Sequence, residues 1–254
     1  MRALEVAMIG ICAALYAVIG LLTSFGLNLG GVAFWPAVVV PCIFAVLFGP
    51  WVGGIGAAIG IFIRDTLYHG DPLLSLTAGV TSNFAMCFLL GYMSRTSLSR
   101  KKLSLSIIIG SVIIFAGLLL PTVLLPSETL IFTGLTSFEL IALLTVVVVA
   151  SILAVAVLFA FKKEWANFSV GALVGQGVGA TIVAIAVWIY SNLFFSPSGY
   201  FNKPLQYSFV PLVFVWTVAT EIPFVLLLSP PIIKACYKAF PSIRLQKKND
   251  EKAI

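Results

Sequence analysis

Long runs of apolar residues dominate the chain and are separated by short clusters of polar residues, glycine and proline. An α-helix needs about 20 residues, at 1.5 Å each, to cross the hydrocarbon of a bilayer, so apolar windows of that length predict spanning helices. About eight windows meet this criterion. They are residues 3–23, 33–49, 50–67, 75–94, 104–125, 138–161, 168–194 and 207–233.

The boundary at Gly49-Pro50 leaves two alternatives. Residues 33–67 can form two short spans joined by a tight turn, or one long broken span. Proline cannot continue the hydrogen-bond ladder of a helix, and it restricts the conformation of the residue before it. The sequence therefore favours the turn.

Composition places the chain in the membrane. Hydrophobic residues make up 61% of it and charged residues 9%, whereas soluble domains carry roughly 25% charged residues. A cytosolic enzyme and a nucleic-acid-binding domain are excluded. We predict an all-α fold, a polytopic helical bundle of the cell membrane, in which residues 1–240 form one transmembrane domain and residues 241–254 a disordered cytoplasmic tail.

The basic residues predict the orientation of the bundle. Short cytoplasmic loops of membrane proteins are enriched in lysine and arginine. With eight spans and the N-terminus inside, all 15 lysines and arginines except Arg64 and Lys203 lie on the cytoplasmic side. We therefore expect both termini to be cytoplasmic.

No motif for catalysis or cofactor binding is present in the sequence. It contains no GxxxxGK[ST], HExxH or GxSxG segment and a single histidine. The cysteines, Cys12, Cys42, Cys87 and Cys236, lie in or beside apolar runs without a CxxC pair, which is typical of small buried side chains. We expect no enzyme activity, no metal and no cofactor.

Small residues recur at helical spacing in three of the predicted spans. Gly53 and Ala57 in the third span, and Gly171, Gly175 and Gly179 in the seventh, are typical of close packing inside a bundle. The first span has a similar face. Its residues are Ala3, Ala7, Gly10, Ala14 and Ala17. Because a first helix often lies at the edge of a bundle, this face can instead serve another subunit.

Polar residues within the spans mark a candidate binding site. Glu221 lies halfway along the last span and close to Pro223, which removes a backbone hydrogen bond at that depth. It can line the floor of a pocket or be a structural carboxyl. The group Arg64, Asp65, His69 and Asp71 is interpreted as a local ion pair that caps a helix.

Further polar and aromatic residues concentrate towards the predicted outer side. A pocket with aromatic walls and a few convergent hydrogen-bonding groups suits a small organic solute. Glycines in the 24–34 loop allow it to close over such a pocket. The predicted substrate-binding residues are Asn28, Trp35, Asn83, Asn192, Trp216 and Glu221.

Three local segments resemble a known family. The first is Ala13-Ala14-Leu15-Tyr16-Ala17 in the first span. The second runs from Leu47-Phe48-Gly49-Pro50-Trp51 through the glycine-rich segment to Asp65, and the third from Glu221-Ile222-Pro223 to Pro230-Pro231. Together these segments, within residues 1–95 and 215–240, resemble the substrate-binding (S) components of energy-coupling factor (ECF) transporters.

The resemblance implies a membrane-embedded, high-affinity binding subunit for a vitamin or similar organic micronutrient. It implies a membrane scaffold subunit and two ATPase subunits as partners, with the scaffold docked on the first helix. The interface residues would be Ala7, Ala13, Ala14 and Ala17. It also implies six spans, the usual number in the family, against the eight predicted from the apolar windows.

Two other classes of function stay open. An autonomous secondary transporter would use Glu221, at a helix interrupted by Pro223, to couple uptake to protons or sodium ions. An integral-membrane enzyme or sensor is the third class. The absence of paired ionisable residues in the spans counts against it.

Overall fold

The computed structural model describes residues 2–23, 28–29, 32–96, 137–161 and 165–243, with scattered positions between 99 and 112. The regular secondary structure of this part of the chain is helical apart from one two-stranded hairpin. The helices are α1 (Ala3–Thr23), α2 (Val39–Phe48), α3 (Pro50–Tyr68), α4 (Pro72–Arg95), α5 (Ser137–Phe161), α6 (Ala166–Leu193) and α7 (Phe209–Ala239). The hairpin pairs β1 (Asn28–Leu29) with β2 (Val32–Ala33) in antiparallel register.

Four of the described helices are long and apolar enough to cross a membrane, namely α1, α4, α6 and α7. The chain is thus a helical membrane bundle. The predicted span at 104–125 lies largely outside the described residues, so the total of eight spans and the orientation of the termini stay predictions.

The predicted span at 33–49 is not a full-length helix. A short 3₁₀ turn, Pro36–Val38, precedes α2, which has only ten residues. At 1.5 Å per residue α2 is about 15 Å long, half of the roughly 30 Å of bilayer hydrocarbon. The first residues of the window are used by β2 and by an extended segment that contains Trp35.

The chain turns sharply between α2 and α3, as Pro50 predicts. Gly49 adopts a φ of +118°, which a residue with a side chain rarely adopts, and Pro50 begins α3. Arg95, at the end of α4, donates from Nη2 to the carbonyl oxygens of Val46 and Leu47. These bonds satisfy two of the carbonyls that every helix leaves unpaired at its C-terminus.

Helix α4 changes its winding near its start. Residues Ser75–Val80 form a π-helix, with an α-helical turn before them and the helix Thr81–Arg95 after them. Such wide turns are rare and occur often at functional sites. This one lies opposite Asp65 of α3, whose Oδ2 accepts a hydrogen bond from Ser75 Oγ at 2.8 Å.

Glycines bring α6 into contact with the backbone of α4. A Cβ atom added at Gly171, Gly175 or Gly179 would press on the main chain or Cβ atoms of Leu90, Met93, Met86 or Ser82. Gly60 of α3 similarly meets the Ala13 carbonyl oxygen and Tyr16 of α1. The predicted role of the glycines in internal packing therefore matches the contacts that they make.

The alanines of α1 divide between two faces. Ala13 and Ala17 are buried within the bundle, on the side of α1 that packs against α3, at 3% and 5% exposure. This corrects the expectation that both belong to a partner interface, since each is covered by the chain itself. Ala7 and Ala14 are exposed, and for them the expectation stays a prediction.

Substituting Gly175 by alanine should destabilise the protein, whereas Gly177→Ala should not. A Cβ at Gly175 would lie 2.6 Å from the Met86 carbonyl oxygen, while nothing lies within 4 Å of one at Gly177. Overpacking of this kind costs about 1–3 kcal/mol, and alanine is the better helix former at an open position. Thermal unfolding of both variants in detergent measures the difference. Equal midpoints would contradict the backbone contact.

Candidate substrate-binding site

A cavity opens between α3, α4, α6 and α7 and is bordered by β2 and by the connection between α6 and α7. It contains about 750 Å³ of space between atoms, its open mouth included. Its walls are mainly apolar. They are lined by Val32, Ala33, Trp35, Ile61, Arg64, Asp65, Tyr68, His69, Leu74, Ala78, Gly79, Ser82, Asn83, Met86, Gly179, Val183, Val187, Tyr200, Thr217 and Glu221.

A chain of hydrogen bonds joins the β2–α2 segment to α1 and α4 at one wall. Trp35 Nε1 donates to Tyr16 Oη, which in turn donates to Asn83 Oδ1, each at 2.5 Å. Asn83 Nδ2 donates to the Gly79 carbonyl oxygen at 2.8 Å. Gly20 of α1 leaves the space that the Trp35 ring occupies. These hydrogen bonds hold Trp35, which is only 4% exposed, in one orientation beside the cavity.

The α7 side of the cavity contains a carboxyl group within the bundle. Glu221 of α7 is 7% exposed, and its Oε2 accepts a hydrogen bond from Gln176 Nε2 at 2.9 Å. The same nitrogen lies 3.3 Å from the Thr217 carbonyl oxygen. Within the described part of the chain Glu221 forms no ion pair, so a neutral amide is its side-chain partner. Both Thr217 and Glu221 face the cavity.

Arg64 and Asp65 form a buried ion pair in the cavity wall. Arg64 Nη1 donates to Asp65 Oδ1 at 3.0 Å. The Arg64 guanidinium carbon lies 4.4 Å from the ring centre of Trp35 and 4.1 Å from that of Tyr68, both within cation–π distance. A buried charge is stable only when it is paired, and Asp65 is the partner that the fold supplies.

His69 and Asp71 extend this polar wall towards α6. His69 Nδ1 accepts a hydrogen bond from the Asp71 backbone N–H, and its Nε2 lies 3.8 Å from Asp65 Oδ1. Asp71 Oδ2 accepts from the Tyr190 hydroxyl at 2.7 Å. These contacts join the end of α3 to the start of α4 and to α6.

Tyr200 lies at the mouth, on the connection between α6 and α7. Its ring centre is 5.0 Å from that of His69 and 5.1 Å from that of Phe201. Burial raises the pKa of Tyr200, so its hydroxyl stays protonated near neutral pH and can donate a hydrogen bond. Tyr200 thus contributes an aromatic ring and a hydroxyl group to the mouth of the cavity.

Some of the predicted substrate-binding residues line the cavity and others lie outside its lining. Trp35, Asn83 and Glu221 line the cavity. Trp216 Nε1 instead donates to the Val32 carbonyl oxygen at 2.9 Å and holds β2 against α7. Asn192 Nδ2 donates to the carbonyl oxygens of Trp188 and Leu205.

Asn28 belongs to β1, and its side chain lies outside the described part of the structure, as does most of the predicted lid loop. Sequence reasoning did not include Arg64, Asp65 or His69 among the binding residues. The signal that could have found them is Arg64 itself, one of the two basic residues that depart from the cytoplasmic distribution.

In the described residues, no group of three histidine, cysteine or acidic side chains could hold a metal ion. The groups that line the cavity can contact a small solute in two ways. Aromatic rings offer surfaces for stacking, and the arginine, amide, hydroxyl and carboxyl groups offer hydrogen bonds in fixed directions. A planar organic solute with a polar edge matches this arrangement.

Replacing Tyr16 by phenylalanine should destabilise the cavity wall. The substitution removes the hydroxyl and leaves Trp35 Nε1 and Asn83 Oδ1 without their partner. An unpaired buried polar group costs about 1–3 kcal/mol, so the unfolding midpoint in detergent should fall. Tyr92→Phe is the matched control, because Tyr92 is 47% exposed. Equal effects of both substitutions would contradict the proposed importance of the hydroxyl.

Comparison with known proteins identifies the family. A family model described as the S component of the ECF-type riboflavin transporter matches residues 1–161. Neither a curated protein nor a solved structure matches the chain. The matched part includes α1 to α5 and so contains the Trp35, Arg64 and Asn83 side of the cavity. The chain therefore belongs to the family of ECF-type riboflavin transporter S components.

Proposed function

We propose that the chain binds riboflavin, or a vitamin of the same planar heteroaromatic type, with high affinity in the cavity between α3, α4, α6 and α7. The cavity itself carries this proposal. The rings of Trp35, Tyr68 and Tyr200 offer stacking surfaces, and Arg64 and Glu221 bring hydrogen-bonding groups to the same space. Riboflavin is the solute that the family description names.

The cavity opens to the outside of the cell in this proposal. It lies between the C-terminal part of α3 and the N-terminal part of α4, at the opposite end of both helices from Gly49 and Arg95. Arg95 precedes a basic segment, 100–102, that the distribution of lysine and arginine assigns to the cytoplasm. A binding subunit for uptake needs this orientation.

The energy for uptake comes from partner subunits. Membership of the family implies an ECF complex with a membrane subunit and ATPase subunits. The exposed residues Ala7, Gly10 and Ala14 form a strip of small residues on α1. Small residues allow two helices to approach closely in lipid, where tight packing drives association. We place the membrane scaffold subunit on this strip.

One observation favours a second candidate, the autonomous secondary transporter. Glu221 lines the cavity without an ion-pair partner among the described residues, and Pro223 lies two residues later within the continuous helix α7, where it removes one backbone hydrogen bond. A carboxyl within the membrane, beside backbone freed by a proline, can couple transport to protons or sodium ions. This alternative requires uptake by the chain alone, driven by an ion gradient.

The purified chain should bind riboflavin without any partner subunit. Titration calorimetry in detergent, or quenching of riboflavin fluorescence, measures this binding. Proteoliposomes should take up the solute only when the scaffold and ATPase subunits and ATP are present. Uptake by the chain alone under a proton or sodium gradient, abolished by Glu221→Gln, would instead establish the secondary transporter. Failure to bind any of a panel of vitamins would contradict the proposal.

Substituting leucine at Ala14 should abolish uptake and copurification with the scaffold subunit while leaving riboflavin binding intact. The larger side chain prevents the close approach of two helices. Ala156→Leu is the matched control, since Ala156 is also exposed but lies on α5, away from the strip. If Ala14→Leu supports uptake as well as Ala156→Leu does, the scaffold docks elsewhere.

A further inference from the structure

Arg64 has two hydrogen-bond donors that nothing in the described structure satisfies. The side chain is only 4% exposed, and its Nε and Nη2 atoms have no hydrogen-bond partner. Its third nitrogen, Nη1, is bonded to Asp65. An unpaired donor on a buried charged group is costly, so proteins seldom retain one without a use for it.

The two unsatisfied atoms lie side by side on one edge of the guanidinium plane. Arginine presents its N–H groups as a rigid planar fork, and such a fork matches two adjacent acceptor atoms. The bond to Asp65 and the contacts with the rings of Trp35 and Tyr68 hold the plane in place. The fork is therefore oriented before any solute arrives, which lowers the entropic cost of binding.

Local charges favour a neutral acceptor group over an anion. Asp65 already neutralises Arg64 through their ion pair. A carboxylate on the solute would lie close to the Asp65 carboxylate and be repelled by it, whereas a carbonyl oxygen beside a ring nitrogen carries no net charge for Asp65 to repel.

We propose that Arg64 is a specificity-determining residue whose Nε and Nη2 donate to a carbonyl oxygen and an adjacent ring nitrogen of a neutral heteroaromatic solute. This inference rests on the proposed function of the cavity and adds the chemistry that its solute must present. The solute reaches the fork from the side of Tyr68. That ring is 42% exposed and can turn outwards, whereas Trp35 is 4% exposed and tied to Tyr16.

Riboflavin analogues test the inference on the unmodified chain. Riboflavin has two such acceptor pairs, and 1-deazariboflavin and 5-deazariboflavin each replace the nitrogen of one pair by a C–H group. One of the two analogues should bind about ten- to a hundred-fold more weakly than riboflavin, the usual effect of losing one hydrogen bond to a charged donor. Equal binding of all three compounds would overturn the inference.

The variant Arg64→Lys assigns that discrimination to the fork. Lysine keeps the positive charge and lacks the planar pair of donors. The variant should bind riboflavin about ten- to a hundred-fold more weakly and no longer distinguish it from the affected analogue. A purely structural role would weaken all three compounds alike and leave the discrimination unchanged, which would overturn the assignment to Arg64.

Arg95→Lys is the matched control. Arg95 is also buried, at 8% exposure, but it binds the last carbonyls of α2 at the far end of α4. This variant should retain the discrimination between riboflavin and the analogues. Biotin, a vitamin with a carboxylate, serves as the second probe. Tight binding of biotin with no binding of riboflavin would overturn the neutral acceptor pair, and failure to bind any of a panel of vitamins would overturn the proposed function itself.

Discussion

Contact between the backbones of α4 and α6 is the constraint on which the rest of the bundle depends. In lipid, apolar side chains gain nothing by leaving the hydrocarbon for a protein neighbour, so helices associate through close packing and polar contacts. Gly175 and Gly179 provide this packing against Met86 and Ser82. The same contact forms one wall of the cavity, because Gly179, Ser82 and Met86 also line it. The shape of the binding site therefore follows from the packing of two helices.

The polar groups around the cavity divide into a satisfied and an unsatisfied set. Trp35, Tyr16 and Asn83 donate and accept in sequence, so this wall is complete without a solute. Arg64 has a fixed plane and an unfilled edge. Trp35 connects the two sets, because it is hydrogen-bonded to Tyr16 and also packs against the Arg64 guanidinium. The hydrogen bonds of the satisfied set therefore help to hold the orientation of Arg64. The fixed position of Trp35 thus supports recognition of a solute by Arg64.

Sequence reasoning predicted the long helices well and the faces of those helices poorly. Membrane thickness requires long apolar runs, so the first predicted span coincides with Ala3–Thr23 and the seventh differs from Ala166–Leu193 by a few residues. The spacing of Ala13 and Ala17 is the same for an internal and an external face, and only the position of α3 decides between them. The charge pattern marks Arg64 as an exception. Its place in the cavity depends on contacts with Tyr68, one turn later on α3, and with Trp35, which the fold brings from the segment before α2.

The π-helical segment Ser75–Val80 also bears on how relatives are aligned. A wide turn holds one residue more than an α-helical turn of the same length. A relative whose helix is α-helical throughout would carry one residue fewer here, so the alignment gap belongs within residues 75–80 and not in a loop. Since each residue of an α-helix advances the side-chain direction by about 100°, an ungapped template would rotate Ser75 away from Asp65 and misplace one wall of the cavity.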